Sequence, residues 1–227
     1  KKIEIFKKRY SPENFIVTVV GNADMEKICA RLEKDFTPSK KKYSSLIIKQ
    51  KNHDVLEERD GINQAKIVLA MHAPLENKKQ DALEILNIYL ASGMSSKLSI
   101  EIRERRGLAY TVNGRIEREK SYSYYSIYAG TTKADLQKVK ELIIQGFKDI
   151  SKMTEKDFAE SKERLIGLRK IAMEESINVM HNLIFLEIST GKSEDFYKYE
   201  ERVKSVSLEN VKTLAKDLIK NYSTAIV

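Results

Sequence analysis

A change of hydrophobic period in the middle of the chain constrains the fold more than any other feature. The segments LAYTVNGRIE and SYSYYSIYAGT, residues 108–117 and 121–131, alternate apolar and polar residues, as strands with one buried face do. A short charged turn separates them, so they predict an antiparallel hairpin. Tyrosines at positions 122, 124 and 128 line one face of its second strand, where we expect them to pack against a neighbour rather than stack on bases.

Capping residues mark the starts of helices beyond this hairpin. Thr132 with Asp135, and Thr154 with Asp157, each have the Thr-x-x-Asp form that satisfies free N–H groups in the first helical turn. Apolar residues spaced three and four apart predict further helices. The predicted helices cover about residues 25–37, 78–90, 95–107, 133–150, 155–174, 176–190 and a last stretch that Ser207 caps.

Three further strand candidates lie outside the hairpin. VLEERD and AKIVLAMHAP, residues 55–60 and 65–74, are separated by Gly61, and STAIV covers residues 223–227. Strands and helices are therefore present in comparable number, and the strands next to each other in sequence favour antiparallel pairing. The pattern predicts the α+β class, an antiparallel sheet with helices packed on one face.

The first forty residues have a strand and a helix of their own. Residues 15–20 are an almost unbroken β-branched and apolar run that ends at Gly21, which is typical of a strand buried on both sides. Asp24 can cap the helix that follows. The single cysteine, Cys29, falls on the apolar side of that helix, so we expect it to be a buried small hydrophobic residue and not a nucleophile.

A weak internal likeness suggests how the chain divides. FKKRYSPENFIVTVVG near the start and AKDLIKNYSTAIV at residues 215–227 both run from a basic helix end through a tyrosine to an apolar strand. We therefore expect residues 1–40 to be the last strand and helix of a preceding domain. Residues 41–53, polar and lysine-rich, are then a linker, and residues 54–227 a second domain.

Composition excludes several classes of protein. The chain has no apolar run near the ~20 residues that a membrane-spanning helix needs, and one cysteine cannot form an internal disulfide framework. The low cysteine content is compatible with the cytoplasm, which is the compartment we favour. A net charge of +8 could attract nucleic acid, but the lysines are scattered and no RNA-binding or zinc-finger signature accompanies them. We therefore expect neither nucleic acid nor membrane as a partner.

The usual catalytic and metal-binding motifs are missing. The three histidines, His53, His72 and His181, have no second ligand one helical turn away, so the sequence predicts no metal site. Ser95 and Ser96 lack a neighbouring base and are expected to cap a helix. The segment ASGMSS has one glycine and no lysine, which excludes a phosphate-binding P-loop.

One stretch, SSKLSIEIRERRGLAYTVNG at residues 95–114, keeps a chemical interpretation open. Arg103 lies near the end of a predicted helix, and Tyr110 follows seven residues later, at the start of a strand beyond Gly107. A sharp reversal at the glycine could place both side chains on one side, where they would donate hydrogen bonds to a carbonyl or an oxyanion. The alternative is an exposed basic helix end beside a core tyrosine. Arg105 and Arg106 are expected to be surface charge.

This stretch resembles a block of the insulinase and pitrilysin family of zinc peptidases, which includes the mitochondrial processing peptidase. GMSSKLSIEIRERRGLAYTV is similar to the family's Ser-Ser-(Arg/Lys)-Leu helix that ends in Arg-Glu-x-(Arg/Lys)-Gly-Leu-(Ala/Gly)-Tyr. RYSPENFIVTVVGNAD resembles the close of the family's first domain, and NQAKIVLAMHAP the first sheet strand of the second. MTEKDFAESKERL and SLENVKTLAKDLI are similar to its later helices.

The resemblance implies a clamshell-type fold and a role for two residues. Family members enclose a peptide between repeated α+β domains, of which one holds zinc in an inverted His-x-x-Glu-His motif. The partner domain supplies an arginine and a tyrosine, matching Arg103 and Tyr110, that bind the substrate carbonyl and stabilise the tetrahedral intermediate. The expected partners are a peptide or protein substrate and a zinc-bearing N-terminal domain or subunit, and a homodimer stays open.

The sequence departs from the family pattern in one essential respect. No inverted zinc motif occurs in these 227 residues, so this chain is expected to bind no catalytic zinc and to be inactive alone. The resemblance then implies the C-terminal, zinc-free part of a metalloendopeptidase, with its zinc in the partner domain or subunit. The alternative is a catalytically inactive scaffold or partner subunit with the same fold.

Overall fold

The computed structural model describes residues 2–37, 48–59, 61 and 64–227. They belong to two compact units. One comprises Lys1–Ile47 and Lys170–Tyr197, and the other comprises Ile48–Arg169 and Lys198–Val227. In the described part of the chain, no helix is both long and apolar enough to cross a bilayer.

The second unit contains a five-stranded sheet in the order β1-β5-β2-β4-β3. All neighbouring strands are antiparallel except β1 and β5, which pair in parallel. The two long strands predicted as a hairpin, β3 and β4, are adjacent in sequence and in the sheet. The strands are β1 (Val55–Leu56), β2 (Gln64–His72), β3 (Ala109–Arg118), β4 (Ser123–Thr132) and β5 (Ser223–Ile226).

Eight α-helices lie in the described ranges: α1 (Lys2–Arg9), α2 (Met25–Asp35), α3 (Asn77–Leu90), α4 (Leu136–Asp149), α5 (Glu155–Ala172), α6 (Ser176–Thr190), α7 (Tyr199–Ser205) and α8 (Leu208–Leu218). Short 3-10 turns cover Pro12–Asn14, Ile150–Lys152 and Ser193–Phe196, and a π-helical segment covers Ser99–Glu104. The caps predicted at Thr154 and Ser207 form. Thr154 Oγ1 accepts from the backbone N–H of Asp157 at 3.1 Å, and Ser207 and Asn210 form a reciprocal capping box before α8.

The hydrophobic core lies between one face of the sheet and a layer of helices. Alternate residues of β2, which are Ile67, Leu69 and Met71, are almost fully buried, while their sequence neighbours on the other face are partly exposed. Buried residues of α3, α4 and α8 pack against them, including Leu83, Ile143 and Val211. This confirms the α+β class with helices on one face. The second face of the sheet, here called the open face, carries partly exposed and exposed side chains.

The first unit differs from the sequence prediction in two ways. Residues 15–20 form no strand in the described structure, although Phe15 has extended dihedral angles, because a strand needs a neighbour to accept its ladder hydrogen bonds. Cys29 is exposed rather than buried, so that prediction is wrong. Asp24 caps α2 by accepting a hydrogen bond from the Lys27 N–H, as predicted. None of the residues of α2 is buried, so the apolar side of the helix, which carries Cys29, has no covering surface.

The tyrosines predicted to share one face of the second hairpin strand do so. Tyr124 and Tyr128 lie on the open face, and Tyr122 stacks on Tyr124 with ring centroids 6.4 Å apart. The tyrosine that packs into the core is Tyr125, which points to the helices and meets Phe147 edge-on. Strand alternation places Tyr125 on the opposite side from Tyr124, because adjacent residues face opposite sides.

Candidate functional site

Arg103 lies on a distorted helical turn. The segment Ser99–Glu104 is π-helical, and the Arg105 N–H bonds to the Ile100 carbonyl at 2.9 Å, five residues back. Ser99 and Ile102 are buried, whereas the Arg103 side chain keeps 42% of its surface exposed. The sequence predicted an ordinary helix from Ser95 or Ser96, and neither serine side chain caps this segment. π-turns often occur at functional positions because they rotate a side chain out of the regular helical register.

Gly107 ends this segment and reverses the chain. Its φ of +63° lies in the left-handed region, which a residue with a Cβ atom adopts only at a cost. The Gly107 N–H bonds to the Arg103 carbonyl at 3.0 Å, and the Leu108 N–H bonds to the Ile102 carbonyl at 2.9 Å. The predicted helix-terminating role of Gly107 is confirmed, and strand β3 starts two residues later at a position fixed relative to Arg103.

Tyr110 projects from a β-bulge at the start of β3. Ala109 pairs with Thr131 and Thr111 pairs with Gly130, so Tyr110 is the extra residue of β3 that has no partner on β4. Its side chain is 70% exposed, which excludes the interpretation of Tyr110 as a core tyrosine. A bulge redirects the side chain that it carries, and this one places a phenol in solvent on rigid backbone.

A shallow cavity lies beside the tyrosine. Its volume is about 400 Å³, and Gln64, Tyr110, Thr131 and Thr132 line it. Thr131 is itself buried, and its hydroxyl donates to the Leu108 carbonyl, which ties the turn before Tyr110 to β4. The Thr132 hydroxyl likewise donates to Asp135, so the site presents the Gln64 amide and the Tyr110 phenol around a space open to solvent.

The three arginines of the stretch differ in their partners. Arg105 and Arg106 both donate to the Glu101 carboxylate, at 3.2 and 2.6 Å, and these hydrogen bonds, that of Arg106 most of all, lower the pKa of Glu101. This confirms that they are surface charges. Arg103 lies 3.6 Å from Glu104, and no hydrogen bond connects it to Tyr110. The geometry leaves the Arg103 guanidinium facing solvent with a single weak ion pair.

The loop before the π-helical segment is held at several points. Arg164 of α5 donates to the Ser92 carbonyl at 2.9 Å, and Ser96 Oγ donates to the Gly93 carbonyl at 2.7 Å. The Gly114 N–H of β3 donates to the Ala91 carbonyl at 2.9 Å. These bonds attach the loop to both the helix layer and the sheet, which fixes where the segment carrying Arg103 begins.

The sequence that forms this fold and site matches a known protein family. A sequence model described as the peptidase M16 inactive domain matches residues 3–165. The chain belongs to the peptidase M16 family. The match covers the π-helical segment, its glycine turn and the bulged strand, and it confirms the resemblance to insulinase-type zinc peptidases.

Relatives of this M16 inactive domain occur in bacteria. An uncharacterized zinc protease of Mycobacterium leprae is 28% identical, over 97% of this chain and 52% of the relative. One from Bacillus subtilis is 26% identical, over 96% of this chain and 54% of the relative. The crystal structure of a protease from Helicobacter pylori matches with a TM-score of 0.86 and 20% identity, over 99% of this chain and 58% of that one. The chain therefore spans about half the length of these relatives.

The described residues of this M16 inactive domain do not fit a zinc site. Among the described residues, no group of three or more histidine, cysteine, aspartate or glutamate side chains could hold a metal ion. His72 Nε2 lies 3.0 Å from the Lys51 carbonyl, and the backbone N–H of His53 donates to Ser223 Oγ. His181 is an exposed residue of α6 in the other unit. These described histidines therefore provide no metal-dependent catalytic step.

Sequence reasoning missed two features of this site. The neighbours of Tyr110, Gln64 and Thr132, come from strands 46 residues before it and 22 after it, and no local motif announces them. The bulge itself was also missed. The only sequence signal was the pair of consecutive residues Tyr110 and Thr111 on the exposed side of an otherwise alternating strand.

Proposed function

We propose that this chain is the zinc-free, substrate-binding domain of an M16 metalloendopeptidase. In this proposal Arg103 and Tyr110 bind the carbonyl of the scissile peptide bond and stabilise the tetrahedral intermediate that forms at the zinc of a partner domain or subunit. The observation that carries it is the exposed Tyr110 on its bulge. A large aromatic side chain kept 70% exposed at a rigid, irregular strand position gains nothing for folding.

The chemistry of the two side chains suits this role. A phenol O–H and a guanidinium N–H are both donors, and an oxyanion needs donors where its negative charge develops. Donors that are already fixed in position cost no reorganisation during the reaction, and each can contribute ~3 kcal/mol. The bonds from Gly107 and Leu108 back to the Arg103 turn support such a fixed arrangement.

The zinc belongs to the partner in this proposal. Relatives are named zinc proteases, and this chain spans about half of their length, so the remaining half is where the metal would be bound. There, bound zinc would supply an activated water molecule. The contribution of this chain is to bind and orient the peptide, with Arg103 and Tyr110 donating to its carbonyl oxygen.

The division of the chain proposed from the sequence has support in the first unit. No residue of 2–6 or 10–37 belongs to the buried core, and the run at 15–20 keeps Phe15, Ile16, Val17 and Val19 exposed. An amphipathic helix and an apolar extended segment without burial indicate a partner. We infer that residues 1–40 complete the preceding, zinc-bearing domain, that 41–53 connect the two, and that 54–227 form the second domain of the clamshell.

Mutation of the two donors tests the catalytic role. In the full protein with its zinc-bearing partner, Arg103→Ala and Tyr110→Phe should each reduce turnover of a peptide substrate at least tenfold, with zinc content unchanged. Arg105→Ala is the matched control for the arginine, and Tyr197→Phe, 80% exposed in the other unit, is the control for the tyrosine. Wild-type rates in both donor variants would remove these residues from the mechanism. A full protein that cleaves no peptide would favour the inactive scaffold.

A further inference from the structure

A second cavity lies at the other end of β4, away from Tyr110. Its volume is about 450 Å³, within the range of sites that bind small ligands or single side chains. The residues lining it come from the end of β2, the segment after it, the start of β4 and the stretch before β1. They include Ile48, His72, Pro74, Leu75, Tyr122 and Tyr124.

The lining of this cavity is mainly apolar and aromatic, and its polar members are Gln50, His72, Ser121 and Ser123. Four large side chains around it, Ile48, Leu75, Tyr122 and Tyr124, each keep 37–39% of their surface exposed. No aspartate, glutamate, lysine or arginine lines it, in a chain where 33% of residues carry a charge. The Nε2 atom of the one lining histidine, His72, already lies 3.0 Å from the Lys51 carbonyl. A charged occupant would therefore lose its hydration for little compensation, whereas an uncharged aromatic one would bury its surface.

Buried polar residues hold both walls of the cavity in place. Gln80 of α3 is only 2% exposed, and its Nε2 donates to the Pro74 carbonyl and, at 2.8 Å, to Ser123 Oγ. Ser123 Oγ in turn donates to the Glu117 carbonyl at 2.9 Å. A buried glutamine that fixes a proline wall and a strand end pre-organises the cavity, so an occupant need not order it on binding.

Two more bonds secure the proline wall of the cavity. Arg118, at the end of β3, donates to the Leu75 carbonyl at 3.0 Å, and the Ala73 N–H donates to the Ser123 carbonyl at 2.9 Å. The segment of Ala73, Pro74 and Leu75 is thus attached to β3, β4 and α3. The wall of the cavity that this segment forms is therefore a built feature of the fold.

Strand β4 connects this cavity to the proposed catalytic donors. Tyr124 lines the cavity, and Thr132, eight residues along the same strand, lines the shallow cavity at Tyr110. At ~3.4 Å per residue the two positions are about 27 Å apart along the open face. An extended peptide advances at the same rate, so it would place a residue about eight positions from the bond held at Tyr110 into the second cavity.

We propose that this cavity is a subsite for an uncharged aromatic side chain of the peptide substrate, about eight residues from the scissile bond. The inference rests on the proposed function, and it deepens that function by assigning a substrate class. Tyr122 and Tyr124, whose rings are within 5° of parallel, supply the aromatic faces of the subsite, and Pro74 and Leu75 supply the opposite wall.

Peptide binding to the 227-residue chain tests the proposal without requiring catalysis. The chain contains no tryptophan, so the emission of a 16-residue uncharged peptide with one tryptophan reports binding without background. We expect a blue shift on binding, and competition by the same peptide with phenylalanine in place of tryptophan. Peptides with alanine or glutamate there should compete at least tenfold more weakly. Absence of binding, or equal competition by the alanine peptide, would overturn the proposal.

Variants assign the binding to this cavity. Tyr124→Ala and Leu75→Arg should each abolish the preference for the aromatic peptide, while Tyr124→Phe and the distant Tyr197→Ala should retain it. A preference that survives both Tyr124→Ala and Leu75→Arg would place the binding elsewhere and overturn the assignment. Wild-type turnover of Arg103→Ala would contradict the proposed function and leave this binding result intact, so the two failures are distinguishable.

Discussion

Arg202 of α7 donates to both carboxylate oxygens of Asp81 on α3, from Nε at 3.1 Å and from Nη2 at 3.3 Å. The Asp81 side chain is 5% exposed and that of Arg202 25%. Burial raises the pKa of Asp81, and the hydrogen bond from Arg202 opposes that rise. Next to this pair, Tyr199 donates to Glu84, and the Arg169 guanidinium lies 3.9 Å from the centre of the Tyr199 ring. The contacts bind α3 to α7 and to α5.

Removal of Arg202 should therefore destabilise the chain strongly. Arg202→Ala would leave the Asp81 carboxylate buried without its bidentate donor, and we expect the free energy of unfolding to fall by about 3 kcal/mol. Urea denaturation at neutral pH measures this. Arg105→Ala, which removes an exposed ion pair with Glu101, should change the stability by less than about 1 kcal/mol. Equal losses in the two variants would contradict a structural role for the buried pair.

Alkaline pH should destabilise the fold through its buried tyrosines. Tyr125 Oη donates to Asn87 Oδ1 at 3.0 Å, and burial raises the pKa of Tyr125 far above its usual value. Above pH ~10 the phenol ionises in the unfolded chain but stays protonated in the folded one. The unfolded state then binds fewer protons, so stability is full below that pH and falls as pH rises.

Tyr125→Phe isolates this contribution. The variant cannot ionise at this position, so the fall of its unfolding free energy between pH 10 and 12 should be shallower than in the wild type, by up to ~1.4 kcal/mol per pH unit. Urea denaturation at several pH values gives both slopes. Identical slopes would mean that Tyr125 ionises equally in the folded and unfolded states.

Gly114 should tolerate no side chain. A Cβ atom there would overlap Asn87 Oδ1 and would lie 2.8 Å from both Ala91 Cβ and Tyr125 Oη. Gly114→Ala should cost about 1–3 kcal/mol of stability, because the end of α3 must move away from β3. Gly167→Ala, in the middle of α5 with nothing within 4 Å of the new atom, should stabilise the chain by ~0.5–1 kcal/mol. Thermal unfolding of both variants compares them directly.

The 227-residue chain alone should show no chelator-sensitive peptidase activity. No metal-binding group occurs among its described residues, and the proposed mechanism requires zinc from the partner. Peptide hydrolysis should therefore stay at background with or without added zinc and 1,10-phenanthroline. Hydrolysis that the chelator abolishes would reveal a metal site in this chain and contradict the proposed division of roles.

The local pattern of the sequence predicted the elements whose causes are local. The two-residue period of β3 and β4, the Thr154–Asp157 cap and the glycine end at Gly107 all appear where expected. Each depends on a few neighbouring residues, so one sequence suffices to find it. The prediction that Cys29 is buried was wrong, because burial requires a covering surface from elsewhere in the sequence. The strand predicted at 15–20 does not form, because a strand requires a ladder partner from elsewhere in the sequence.

By itself, then, the sequence determined the α+β class, the candidate residues Arg103 and Tyr110, and the family resemblance that the M16 match confirmed. Tertiary structure alone decided how these residues are displayed. The register of β3 against β4 makes Tyr110 a bulge residue, and the buried Gln80 shapes a cavity from strands far apart in the chain. Strand register and cavity shape arise from contacts between segments that are distant in sequence. The spacing of residues within one segment does not show which distant segment it will pair with.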